Sequence, residues 1–155
     1  MPKRSAGLLL YRLAGSGPEV LLVHPGGPFF TRKDAGVWSI PKGEYEPGQD
    51  PVTTAMTEFE EELGSPPPVS RDDLVELGSV EQKAGKIVTA WCAGGDFDAT
   101  VIRSNTFPLE WPPRSGQLRE FPEVDRAGWF ALPEARLKLI AAQAELIDRL
   151  EAHLD

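Results

Sequence analysis

Glu58, Glu61 and Glu62 stand at positions i, i+3 and i+4 of a stretch that reads as a helix. On a helix of about 3.6 residues per turn, such positions are neighbours on one face. Like charges placed this way repel by about 0.2–0.5 kcal/mol per pair. They also fall near the C-terminal end, where the helix dipole disfavours anions. A sequence that accepts both costs points to a bound cation. Hard divalent ions such as Mg²⁺ take carboxylate oxygens and fill their other positions with waters and phosphate oxygens. The alternative is a solvated acidic surface, the ordinary fate of a charge run.

The elements around these residues are well specified. Asp50 suits an N-cap and Pro51 the first helical position. Val52, Ala55, Met56, Phe59 and Leu63 recur at helical spacing and form one apolar face, with the acidic trio outside it. Gly64 is placed to end the helix, and Pro66, Pro67 and Pro68 stop it from resuming. Residues 41–48, which hold Pro41, Gly43, Pro47 and Gly48, read as a loop that feeds the helix.

The stretch GEYEPGQDPVTTAMTEFEEELG resembles the Nudix box, G-x5-E-x7-R-E-U-x-E-E-x-G-U with U apolar. Gly43 matches the opening glycine, Glu58 the glutamate of the R-E pair, and Phe59 the apolar place. Glu61 and Glu62 match the E-E pair, and Gly64 the later glycine. Gln49 departs where the first glutamate is expected, Thr57 where the arginine is expected, and Ser65 at the final apolar place. The phrases Trp38-Ser39-Ile40-Pro41-Lys42-Gly43 and Arg119-Glu120-Phe121-Pro122-Glu123-Val124-Asp125 look like a bacterial subgroup of predicted NTP pyrophosphohydrolases. The first phrase is also similar to one in diadenosine-polyphosphate hydrolases.

The resemblance covers nearly the whole chain and implies one domain over residues 1–155. Its fold is an α/β/α sandwich, with a mixed β-sheet between helices. The implied activity is hydrolysis of a diphosphate linkage, in a nucleoside triphosphate or dinucleoside polyphosphate, by water attack on phosphorus. Glu58, Glu61 and Glu62 are the implied catalytic residues and ligands of Mg²⁺, or Mn²⁺, with the backbone carbonyl of Lys42 as a further ligand. The family often adds a carboxylate from a distant loop; Glu120 is the first candidate, then Glu123, with Glu81 ranked lower.

The resemblance implies that, in the family, the first glutamate and the arginine pair and orient the adjacent catalytic glutamate. Here both are replaced together, so neither charge is orphaned. A box that keeps its shape and ligands but holds Glu58 less firmly is the expectation. A nucleotide-binding protein with little or no turnover is the second reading, and an acidic interaction domain without divalent-ion binding the third.

Substrate contacts follow from residue type. Lys42, Arg32 and Arg114 can meet phosphates, as can Lys33, Lys83 and Lys86. Trp111, Phe29, Phe30 and Phe107 can stack on a base or fill loops and core. His24 and His153 are far apart and form no ligand pair, and His24 at a strand end reads as structural.

Composition excludes several classes. A chain of 155 residues with 41% hydrophobic and 26% charged residues can bury one real core. A net charge of −8 argues against nonspecific nucleic-acid binding, and makes anionic substrates depend on local cations. The single cysteine, Cys92, allows no intrachain disulfide and reads as a core residue. Residues 8–10 are too short an apolar run for a leader, and no stretch is long enough for a membrane span, so a cytoplasmic location is expected.

Strands are expected over residues 6–11, 19–24, 74–81, 86–93 and 127–130, with extended pieces at 37–40 and 103–109. Residues 25–36 and 110–122 read as loops, and residues 133–154 as one long helix.

Overall fold

Residues 2–155 of the computed structural model are described. The centre is β1 (Arg4–Ala14), whose Leu8, Leu9 and Leu10 are all fully buried. β2 (Gly17–Pro25) likewise carries a continuous buried run from Val20 to Val23. Such runs are what strands covered on both faces require. β1 uses both of its edges. On one side it pairs antiparallel with β2 through residues 11–14 and with β3 (Lys42–Tyr45) through residues 4–7. On the other it runs parallel to β5 (Ile87–Gly94), which pairs antiparallel with β4 (Val75–Glu81). β8 (Val124–Ala131) closes the far edge of β2, giving the order β4-β5-β1-β2-β8, with β3 beside β1. β6 (Thr106–Glu110) and β7 (Leu118–Pro122) make a separate ribbon.

Helices cover both faces. Alternate residues of each strand point to opposite sides. Leu8, Leu10, Leu21 and Val23 pack with Phe59 and Leu63 of α1 (Pro51–Leu63). Leu9, Val20, Leu22, Ala90 and Cys92 face the opposite core, which holds Leu132 and Ala135 of α2 (Leu132–Lys138) and Leu146, Ile147 and Leu150 of α3 (Ala144–Leu154). The α/β/α sandwich with a mixed sheet is therefore the fold observed. Cys92 is part of that core, and burial pushes its thiol up to about 11. Among the described residues, no helix is long and apolar enough to cross a membrane.

α1 has the ends that its sequence dictates. The Asp50 side chain accepts from the Val52 N–H at 3.4 Å and from the Thr53 hydroxyl at 2.8 Å. Gly64 sits at φ 87°, and its N–H donates to the Glu60 carbonyl at 2.7 Å. A Cβ there would meet Arg103 backbone at 2.7 Å, so conformation and space both demand glycine.

Three expectations are corrected. Residues 42–45 form β3 rather than loop: a four-residue piece with Gly43 in it has no strand pattern of its own, and the open edge of β1 recruits it. Residues 118–122 likewise form β7 by pairing with β6. The long helix at 133–154 is broken, because Leu139 and Ile140 are extended (ψ 149° and 130°). The Trp38 N–H donates to the Lys138 carbonyl at 3.0 Å, and the Ile140 N–H donates to the Trp38 carbonyl at 2.9 Å. Those cross-chain bonds occupy groups that a continuous helix would pair internally.

The break delivers Gln143 into the core. Its fully buried amide accepts from the Ile40 N–H at 3.0 Å and donates to Ser39 Oγ at 3.0 Å and Gln82 Oε1 at 2.8 Å. One side chain thus ties α3 to the segment that leads into β3. Gln143→Met keeps similar bulk but leaves the Ile40 N–H without a partner. The expected loss is about 1–3 kcal/mol of unfolding free energy in urea titration; an unchanged midpoint and slope would contradict this role.

Candidate functional site

β3 and α1 meet face to face, and this contact builds the site. The Glu58 side chain lies over the Cα of Gly43, so that a Cβ added to Gly43 would come within 2.0 Å of the Glu58 carboxyl carbon. Only a residue without a side chain fits there. One turn further along α1, Glu62 is 7% exposed, and the Lys42 N–H points at its Oε2 at 3.4 Å, long for a hydrogen bond. Glu123 arrives from the other side of the cleft. Its backbone is stitched in place: Gly26 N–H donates to the Glu123 carbonyl at 2.9 Å, Glu123 N–H to the Asn105 carbonyl at 2.8 Å, and Asn105 N–H to the Glu61 carbonyl at 2.8 Å.

The electrostatics follow from crowding and burial. Burial, then the charges of Glu61 and Glu123, push the Glu58 carboxyl up to about 7, against the pull of Lys42. Burial pushes Glu62 up to about 8, opposed by the Lys42 charge and amide and aided by Glu58 and Glu123. Glu123 is raised as well, by burial and then by Glu61. Groups that desolvation and like charges drive toward the neutral form release their protons when a cation arrives.

All these donors are carboxylate oxygens, which suits a hard divalent ion better than a soft one. Among the described residues, no three acidic, histidine or cysteine side chains surround a common point closely enough to hold an ion as they stand. Glu58 rests against Gly43 and Glu62 against the Lys42 amide, so ion binding requires their carboxylates to turn. The charge coupling among Glu58, Glu61, Glu62 and Glu123 is the better guide to what the cluster can do, since it depends on proximity rather than on one rotamer.

Two clefts of about 380 Å³ open on the cluster. Lys42 and Glu123 line both. One is lined by Glu62 and by the apolar side chains of Phe30, Val37 and Ile140. The other carries Glu58, Ser5, Gln82 and Lys86.

The structure brings Glu58, Glu62, Lys42 and Glu123 together, with Glu61 exposed but close enough for its charge to reach Glu58 and Glu123. It does not bring in Glu120, which is exposed on β7 opposite Pro108, or Glu81, which is exposed at the end of β4. Glu123, just ahead of β8 at Val124, is the acid of this segment that lines the clefts. Arg32 is exposed in the 25–36 loop. Arg114 sits at φ 62° in the β6–β7 turn, where its N–H donates to Glu110 Oε1 at 3.0 Å. Trp111 packs edge-to-face on Phe29 with ring centroids 5.5 Å apart. None of these three lines a cleft that holds Glu58 or Glu62; Phe30 and Lys86 do. Gln49 accepts the Glu46 N–H at 2.8 Å, and Thr57 is exposed beside Glu58 in an adjoining groove that Gln49 also lines.

The family model described as NUDIX domain matches residues 1–150. No curated protein matches the chain in sequence. Among solved structures, the Ap4A hydrolase of C. elegans, as a binary complex, is similar with a TM-score of 0.64 at 22% identity, over 97% of each chain. The NUDIX domain of Shewanella oneidensis NrtR, complexed with ADP ribose, has a TM-score of 0.67 at 15% identity, over 100% of this chain and 90% of that one. The MutT protein of Methanosarcina mazei Go1 has a TM-score of 0.61 at 20% identity, over 99% and 96%. At these identities the shared property is the fold.

Glu62 gives the site a testable pH signature. The unfolded chain ionises this carboxyl near the ordinary value of about 4.3, while the folded site keeps its proton until about pH 8. Between those limits the native state holds a proton that the unfolded state has lost, so native stability falls as pH rises through the window. Below it both states are protonated and the effect vanishes. Without divalent ions, Glu62→Gln should therefore melt about 3–6 °C above the wild type near pH 8.5, with the gap closing near pH 4.5. A gap that is constant across pH would mean that Glu62 titrates normally.

Proposed function

The chain belongs to the Nudix family, and from that membership we propose that it hydrolyses a diphosphate linkage in a nucleoside diphosphate derivative, a nucleoside triphosphate or a dinucleoside polyphosphate. The observation that carries this reading is the meeting of Glu58, Glu62 and Glu123 around Lys42, where burial and like charges push Glu58 up to about 7 and Glu62 up to about 8 and raise Glu123 as well.

Glu58, Glu61, Glu62 and the Lys42 carbonyl would hold Mg²⁺ or Mn²⁺, with Glu123 as the downstream carboxylate. When bound, such an ion supplies positive charge to the phosphate oxygens. The Lys42 ammonium adds a point charge toward the same oxygens. Glu58 or Glu123 takes a proton from the attacking water, and a carboxyl raised toward neutral pH suits that task. The water oxygen bonds to phosphorus, and the bridging oxygen departs with the electrons of the broken P–O bond. In the Phe30 cleft, the apolar side chains of Phe30, Val37 and Ile140 receive the organic moiety, and Lys42, Glu62 and Glu123 face the phosphates. The neighbours whose names mention Ap4A and ADP ribose are consistent with a ligand of that shape.

A second reading, nucleotide binding with little turnover, is favoured by one feature. Gln49 is engaged with the Glu46 amide, and no charged residue replaces the missing arginine at Thr57.

A panel of nucleotides with Mg²⁺ or Mn²⁺, read as phosphate release through a coupling phosphatase, separates the two. Turnover of at least one member is expected, and Glu62→Gln should lower kcat/KM by about 100-fold or more, as for loss of a charge-stabilising group. Binding without release from any member would favour the second reading. Gln49→Glu combined with Thr57→Arg should raise kcat several-fold, because a paired arginine steadies Glu58; an unchanged rate would show that Glu58 is already well held.

A further inference from the structure

His24 is fully buried at the end of β2, and both of its ring nitrogens are bonded. Nδ1 lies 2.8 Å from Asp125 Oδ1, and Nε2 lies 2.7 Å from the Lys33 backbone carbonyl. A carboxylate and a carbonyl only accept, so each bond needs a proton on the ring. The ring is therefore a double donor, balanced by the carboxylate beside it.

These two bonds join β8 to the loop that carries Phe30 into the cleft. Asp125 belongs to β8, two residues after Glu123. Lys33 belongs to the 25–36 loop, and its N–H donates to the Phe30 carbonyl at 3.0 Å, closing the turn that carries Phe30 into the cleft. Other hydrogen-bonded tethers sit at the ends of the loop, Gly26 to Glu123 at one and Asp34 to Trp38 at the other, where the indole N–H donates at 2.7 Å; between them Phe29 packs on Trp111. Edge-to-face packing on Trp38, with ring centroids 5.2 Å apart, fixes the plane of the imidazole.

We propose that His24 is a positioning residue for the organic moiety of the substrate: by donating to Asp125 and Lys33 together it locks the Phe30 wall of the cleft against β8, the strand that Glu123 immediately precedes. The inference rests on the hydrolase reading for its substrate, but its geometry can be tested without turnover. His24 touches neither phosphate nor the acidic cluster, so its loss loosens binding and leaves the bond-breaking step intact.

His24→Gln offers one amide nitrogen, which cannot reach two oxygens on opposite sides of a ring. With a substrate identified by the nucleotide panel, the expected result is a KM about tenfold higher with kcat within about twofold, a split that general destabilisation does not produce. Asp125→Asn retains the lock, since its amide can donate to Nδ1 while Nε2–H still holds Lys33; KM within about threefold of wild type is expected. Two readouts are independent of activity. In ¹⁵N-labelled wild type at pH 7, NMR should show protons on both nitrogens of the His24 ring. Trypsin should cut after Arg32 or Lys33 about tenfold faster in His24→Gln than in wild type or Asp125→Asn. Should the wild type hydrolyse nothing, the hydrolase reading fails while these two measurements still decide the lock. A single ring proton, equal cleavage rates, or a fall in kcat at constant KM would overturn the proposal.

Discussion

Carboxylates crowded where burial denies them water need a counter-charge, and the rest of this site is arranged around that need. Glu58 and Glu62 sit one helical turn apart on α1, with Glu123 opposite and Lys42 as the cation that opposes them. Lys42 leaves the balance short, so protons supply the difference. A site that holds protons for lack of positive charge is poised to exchange them for a cation. It accepts a stability cost at neutral pH to stay in that state, a trade expected where function rather than packing sets the residue types.

The fold makes the crowding unavoidable. β1 is buried on both faces and lends one edge to both β2 and β3. β3 is too short to stand alone, yet its pairing sets Gly43 directly under Glu58 and aims the Lys42 amide at Glu62. The apolar face of α1, through Ala55, Phe59 and Leu63, fixes how the helix rolls on the sheet. Phe59 alone, with no exposed surface, contributes about 1.5–3 kcal/mol by burial. That roll decides which glutamates turn inward, so the core and the acidic cluster are two sides of one helix.

Buried polar side chains then lock the surroundings. Gln143 holds Ser39 and Ile40, just ahead of β3, while His24 holds the 25–36 loop to β8. Each has all of its bonds satisfied, and among the described residues no buried side-chain polar atom lacks a partner. Satisfied networks of this kind fix one arrangement of the chain rather than several. Their longest links, His24 to Asp125 and Gln143 to Ser39, span 101 and 104 residues of sequence, so the walls of the clefts are set by long-range contacts.

The α1 region was legible from residue order because its signals are local. Asp50, Pro51, the apolar period and Gly64 specify a helix with defined ends, and the spacing of Glu58, Glu61 and Glu62 specifies an acidic face. Strands β1 and β2 announced themselves as continuous apolar runs. β3, β7 and the break between α2 and α3 gave no such signal, because each exists through hydrogen bonds to distant partners: β1, β6 and Trp38. The choice between Glu120 and Glu123 had the same character. Both are acids in one segment, and only the point at which β8 joins β2 decides which of them enters the cleft. Sequence alone determined the sandwich and the helix-borne carboxylates, because periodicity and capping act within a few residues. Tertiary structure alone decided the clefts, the raised carboxyls and which acid of the 118–125 segment enters the cleft, because burial and charge proximity arise only when remote segments exclude water together.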